Sequence, residues 1–158
     1  MSSAGESQIS DPKVRVFHAC LVAHSRITMQ MEEYLARANT LPIRDYDVLV
    51  TLEMAENSTL RMNELAERVV YSRSGLTRLV DRLAAEGLVR RQKCGRDRRG
   101  IYCILTDEGR AAREAAGPFI LHAIHHVFGQ HFSVKEVETL LAMMLRVHAA
   151  TENPIPLP

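Results

Sequence analysis

The sequence predicts a mostly α-helical chain with one small β-hairpin, an α+β arrangement built as a single domain. Three observations predict it. Apolar residues recur at steps of three and four through most of the chain. One segment, "LVRRQKCGRDRRGIYCILT", carries β-formers on both sides of a polar tip with a glycine at each end. At 158 residues, 46% hydrophobic and 25% charged, the chain can bury one core without disulfide or metal staples.

Each element has a local reason. Residues 1–12 are mostly small and polar, read as a disordered N-terminus, and hold no apolar leader. Phe17, Cys20, Leu21, Ile27, Met31, Tyr34 and Leu35 then mark one long helix with a broad apolar stripe. Pro42 fits the first turn of a second helix. Its core face is Tyr46, Leu49 and Leu52, and it ends near Ala55. "ENST" is a turn, "LRM" a short extended piece, and Asn63 the expected cap of a third helix, "ELAERVV".

Ser72 caps a fourth helix by accepting from a backbone N–H of its first turn. Leu76, Leu79, Val80 and Leu83 are that helix's buried stripe, and Gly87 takes the left-handed position at its end. The hairpin follows. Thr106 caps the next helix, with Asp107 and Glu108 at its positive end. Gly117-Pro118 is expected to break or kink that helix, because proline lacks the donor and clashes one turn back. Ser133 and Glu136 form a capping box for the last helix, striped by Leu140, Leu141, Met144 and Leu145. The tail, 152–158, is proline-rich and not helical.

The middle of this order, residues 42–106, is a winged helix-turn-helix. The flanking segments, 13–41 and 107–151, carry more apolar surface than one small module needs and are expected to form a dimer.

Charge gives this module a partner. Net charge is only +1. Between residues 73 and 100, however, nine basic residues face three acidic ones, so that segment is +6 and the rest of the chain −5. The fourth helix leads with Ser72, Arg73, Ser74, Gly75, Thr77 and Arg78, small or polar enough to enter a major groove about 12 Å wide. Arg73 and Arg78 can reach guanine edges or phosphates, and the Ser and Thr hydroxyls suit phosphates. At the hairpin tip Arg96, Arg98 and Arg99 suit a narrow, electronegative minor groove. Asp97 among them is read as a brace that fixes a neighbouring arginine. The plainer reading of a charge run is a solvated surface. The conjunction of capped helix, small polar leading face, hairpin and basic tip favours double-stranded DNA.

The stretch "MNELAERVVYSRSGLTRLVDRLAAEGLVRRQKCGRDRRGIYCILTDEGR" resembles the MarR family of bacterial transcriptional regulators. The resemblance rests on the helix, the D-x-R of the wing (Asp97, Arg99) and the "LTDEGR" that follows, and it extends over residues 13–150. It implies a homodimer on a near-palindromic operator, with Arg99 entering the minor groove. It also implies a repressor released by a small molecule, an oxidant or a metal.

The signal is harder to read. His122 and His126 are one helical turn apart, a workable metal pair, but no Cys or acid within that turn completes a set. The plainer reading is surface or interface histidine. Arg15, His18, Tyr34 and Tyr46 are candidates for a pocket between the end helices and the winged module, where relatives bind phenolic or carboxylate ligands; ordinary packing is the plainer reading for each. Cys20, beside Phe17 and Leu21, reads as an inert core thiol. Cys94 and Cys103 lie on facing strands, but their cross-strand register is not readable.

No cofactor is required by this reading, and the effector is an unidentified small molecule, with a metal as the variant. An enzyme is not expected: there is no P-loop, G-x-S-x-G or H-E-x-x-H. The alternatives are a histidine-cluster metal sensor or metalloenzyme, and a winged-helix protein-interaction module, which would not need arginines at the tip. Three cysteines without a CxxC argue against a secreted disulfide framework, and no apolar run is long enough to cross a bilayer. A cytoplasmic chain with no membrane partner is expected.

Overall fold

A computed structural model describes residues 10–69, 71, 73–93 and 100–151, and of Arg73 only the backbone. Ser72, Cys94 and the tip residues Arg96, Asp97, Arg98 and Arg99 therefore lie outside the described residues, as do the N-terminal segment 1–9 and the tail 152–158.

The chain runs α1 (Pro12–Arg37), α2 (Ile43–Glu53), a 3-10 turn (Glu56–Ser58), β1 (Thr59–Arg61), α3 (Met62–Arg68), α4 (Arg73–Ala85), β2 (Val89–Lys93), β3 (Ile101–Leu105), α5 (Asp107–Val127), a second 3-10 turn (Gly129–His131) and α6 (Val134–Ala150). The hairpin strands pair antiparallel with Val89 opposite Leu105 and Lys93 opposite Ile101. Strand β1 adds to the other edge of β3, giving the order β1-β3-β2. The "LRM" segment is thus a true third strand, one residue earlier than predicted.

One core closes this module from within. Val48, Leu49 and Leu52 of α2, Leu65 of α3, and Leu76, Val80 and Leu83 of α4 pack with Leu60, Val89, Cys103 and Leu105 of the sheet. Gly87, at φ +78°, ends α4 in the left-handed conformation its position predicts. The faces of α1 and α6 behave differently. Phe17 is 66% exposed, and Leu141 and Leu145 are each 58% exposed. Only near its C-terminal end, at Met31 and Leu35, does α1 reach the chain's own core.

Several expectations are corrected. Helix α3 starts at Met62, so Asn63 is inside the helix; Glu64 instead reaches back to accept the Arg61 backbone N–H at 3.1 Å. Of the break or kink expected at Pro118, the break does not occur: α5 is continuous through it. One donor is lost there, while Ala116, Ile120 and Ala123 on either side are buried and hold the helix down. Asp45, not Tyr46, joins Leu49 and Leu52 on the buried face of α2. Cys20 is exposed, not buried, because the apolar face of α1 that carries it is covered by nothing among the described residues. The Asp11 side chain caps α1 through the Lys13 N–H at 2.8 Å, a cap the sequence reading missed.

Candidate nucleic-acid interface

Helix α4 has two unlike faces. Leu76, Val80 and Leu83 are buried, which fixes the rotation of the helix on its scaffold. That rotation leaves Ser74, Gly75, Thr77 and Arg78 exposed on the opposite side. These are the small and basic residues that the sequence placed on a leading face. Such a surface can approach the floor of a DNA groove without a bulky side chain in the way.

The basic segment does not present all of its charge to solvent. Arg82 grips the carboxylate of Asp45 with both terminal nitrogens, at 2.5 and 2.8 Å, and also meets Glu86 at 3.2 Å. Asp45 is 1% exposed, so Arg82 serves as the lid over a buried acid. Those bonds, Asp45 first, outweigh burial and push the Arg82 guanidinium further towards its charged form. Arg91 reaches back from β2 to Asp81 on α4 at 2.8 Å, tying hairpin to helix. Two of the nine basic residues are thus neutralised internally. Arg78 is exposed and, among the described residues, makes no ion pair.

Beside Arg78 lies a groove of about 660 Å³ between the start of α2 and α4, lined by Pro42, Arg44, Asp45, Tyr71, Gly75, Arg78, Leu79 and Arg82. On its wall the Arg44 guanidinium lies over the Tyr71 ring, 5.3 Å from its centroid. The Tyr71 hydroxyl donates to Asp47; burial, then the nearby Asp47 charge, pushes the phenol up to about 12. Sequence reasoning missed Arg44 and Tyr71, which lie 27 positions apart and share no motif.

The "LTDEGR" segment is what aims the hairpin. Thr106 Oγ1 lies 2.7 and 2.8 Å from the Gly87 and Leu88 carbonyls and accepts the Gly109 N–H at 3.0 Å. Gly109 must be glycine: a Cβ there would overlap the Leu88 carbonyl oxygen and lie 2.9 Å from Leu105 Cδ1. Arg110 then donates to Glu53 at 2.6 Å and to Ser58 at 2.9 Å, and Arg113 pairs with the same Glu53 carboxylate. Chiefly the Arg113 bond holds the Glu53 carboxyl below its ordinary value. The start of α5 is thereby bolted to the turn that leads into β2 and to α2.

The remaining candidates scatter. Tyr34 lines a cavity of about 370 Å³ between α1 and α5, together with Gln30, Glu33, Arg37, His122, Ala123, His126 and Val127. Tyr46 is not at that cavity. Arg15 and His18 are exposed four to five helical turns away along α1. The rings of His122 and His126 stack at 6.3 Å, and Tyr34 meets His122 at 5.6 Å. Among the described residues no three His, Cys, Asp or Glu side chains gather as a metal site requires. Cys103 is buried opposite Arg91 and Leu60, and burial pushes its thiol up to about 11, away from the reactive thiolate.

Comparison with known proteins agrees with this geometry. A family model described as MarR family matches residues 39–100. The HTH-type transcriptional regulator FarR of Neisseria gonorrhoeae is 31% identical over 134 residues, 83% of this chain and 89% of that protein. Among solved structures, Sco3205, a MarR family transcriptional regulator from Streptomyces coelicolor in complex with DNA, superposes with a TM-score of 0.80 at 28% identity, covering 92% of this chain and 94% of that one. AbsC, a MarR family regulator from the same organism, superposes with a TM-score of 0.79 at 25% identity, covering 90% and 96%.

Proposed function

This chain belongs to the MarR family of transcriptional regulators, and from that premise we propose that two copies form a homodimer that binds a near-palindromic DNA operator and represses. It is a regulator and not an enzyme. In this reading α4 lies in the major groove with Ser72, Arg73, Ser74, Thr77 and Arg78 as contacts. The tip residues Arg96, Arg98 and Arg99 enter the minor groove, braced by Asp97; their assignment rests on the sequence.

The observation that carries the reading is the division of α4, whose Leu76, Val80 and Leu83 anchor while Ser74, Gly75, Thr77 and Arg78 turn outward. The dimer reading rests on segments 13–41 and 107–151. Val14, Phe17 and Leu21 of α1 and Val137, Leu141 and Leu145 of α6 form apolar faces that a monomer would leave wet. An isologous two-fold contact covers both faces at once. The effector, a small molecule, is assigned to the Tyr34 cavity, where Arg37 offers a charge to a carboxylate. Acting on DNA implies a cytoplasmic location, and no helix among the described residues is long and apolar enough to cross a membrane.

The test is selection of duplexes from a random library by the purified protein, followed by affinity measurement across a salt series. The reading predicts a dimer by sedimentation at micromolar concentration. It also predicts a selected site bound at least about 10³-fold tighter than unrelated DNA, and a steep salt dependence. Equal binding to all sequences, or to none, would contradict it.

A further inference from the structure

The groove between α2 and α4 holds a cation that the recognition-helix reading leaves without a task. Arg44 stands on the second residue of α2, exposed, at the lip of the groove that Arg78 and Gly75 line from α4. Arg82, on the same groove, is already spoken for by Asp45. Among the described residues Arg44 has no carboxylate partner; its contact is the face of Tyr71.

An exposed arginine ordinarily samples many rotamers, and ordering it on binding takes back part of what its contact gains. Here the ring of Tyr71 narrows that freedom beforehand, and the Tyr71 hydroxyl is in turn tied to Asp47. The result is a chain of support, from Asp47 through Tyr71 to Arg44, that keeps a planar five-donor cation at the rim of a groove open to solvent. Arg78 lines the α4 side of the same groove and adds its positive charge to the field that an anion seated on Arg44 would meet.

We propose that Arg44 is a DNA-backbone contact: as α4 enters the major groove, a phosphate of the flanking strand seats in the groove between α2 and α4 on Arg44, with Tyr71 as the positioning residue beneath it. The proposal rests on the DNA reading above and adds to it a contact on α2, outside the recognition helix and the wing. A phosphate carries no sequence information, so this contact sets register and affinity rather than base preference.

The experiment measures affinity for the selected operator and for an unrelated duplex across a salt series, using wild type, Arg44→Ala, Arg44→Lys, Tyr71→Leu and Tyr71→Phe. Thermal unfolding and sedimentation verify that each variant is folded and assembled as wild type. Arg44→Ala is expected to weaken both duplexes by a common factor. It should also reduce the slope of log affinity against log salt by about two units, roughly 0.9 for each of two copies. Arg44→Lys, which keeps the charge, retains the wild-type slope, and Tyr71→Phe, which keeps the ring but loses its tie to Asp47, binds between wild type and Tyr71→Leu. Tyr71→Leu moves towards Arg44→Ala. An unchanged slope in Arg44→Ala overturns the contact, and a loss confined to the operator makes Arg44 a base reader instead. If Arg44→Lys fares as badly as Arg44→Ala, the charge is not what acts, and the phosphate contact is likewise overturned. Failure of the wild type to bind any duplex would instead bring down the DNA reading, and this contact with it.

Discussion

Gly109→Ala sets two physical effects of opposite sign against each other. Gly109 is the third residue of α5, where replacing glycine by alanine normally stabilises a helix by about 1 kcal/mol. The surroundings argue the other way. The added Cβ would overlap the Leu88 carbonyl oxygen and lie 2.9 Å from both Leu88 C and Leu105 Cδ1. The first of these contacts is backbone, which cannot swing aside as a side chain would. Leu88 must therefore shift, and its carbonyl is the acceptor for Thr106 N–H at 3.3 Å and lies 2.8 Å from the Thr106 hydroxyl. Overpacking of this kind costs about 1–3 kcal/mol, and each hydrogen bond lost adds about 1 kcal/mol. Offset by the propensity gain, the net is a loss of about 3 kcal/mol, or roughly 6–12 °C in melting temperature for a chain of this size. Thermal unfolding at one fixed protein concentration measures it, because the midpoint of a dimer depends on concentration. A Gly109→Ala variant that melts at or above wild type would refute the argument that α5 and the hairpin base are locked by close approach.

Three further substitutions probe the scaffold and the reading head. Arg82→Ala uncovers the buried Asp45 carboxylate and should cost about 2–4 kcal/mol in denaturant unfolding, somewhat under the usual figure for a broken buried pair because the groove admits water. The double variant Asp45→Leu/Arg82→Leu should recover most of that loss, and equal losses in single and double variants would show the buried charge is not the cause. Glu53 has its folded pKa held below the ordinary 4.5 by Arg113 and Arg110, so its stabilisation is present above that value and lost as pH falls through the lower folded one. Glu53→Gln should therefore be less stable at neutral pH and show a flatter decline between neutral and strongly acidic pH; an acid limb parallel to wild type would count against it. Arg78→Ala should cost about 1–3 kcal/mol in operator binding and relax preference at one base pair if it reads a guanine. A uniform loss across sequences would instead make it a phosphate contact.

The parts of the molecule legible in the sequence are those decided within a few residues. Gly87, Thr106 and the Ser133–Glu136 box act on their own turn of chain, and each stands where the pattern put it. Most of the stripes of α2 and α4 were legible for the same reason, since period 3.6 is a local property; Tyr46 and Leu79, which the pattern also placed inside, are only half-buried. What escaped is tertiary. Asp45 and Arg82 are 37 positions apart, and nothing in "IRDYD" announces a buried acid awaiting an arginine. The same distance problem hides Arg44 on Tyr71 and Glu53 beneath Arg110 and Arg113. Local rules misled where packing overrode them: Pro118 sits inside α5 because its neighbours are buried. Cys20 looks like core from its apolar stripe, but nothing among the described residues covers that stripe. The pocket candidates do not meet within one chain, because Arg15 and His18 lie turns away from Tyr34 on the same helix, a separation that linear spacing itself states.

The central claim is that a two-fold dimer presents two copies of α4 to successive major grooves on one face of DNA. Hydroxyl-radical footprinting of wild-type protein on its selected operator tests this most directly. The account predicts two protected patches related by approximate dyad symmetry, with centres about one helical turn, 10–10.5 base pairs, apart or a whole multiple of it. Arg78→Ala should weaken both patches together. A single asymmetric patch, or patches whose spacing is not a whole number of turns, would contradict the claim.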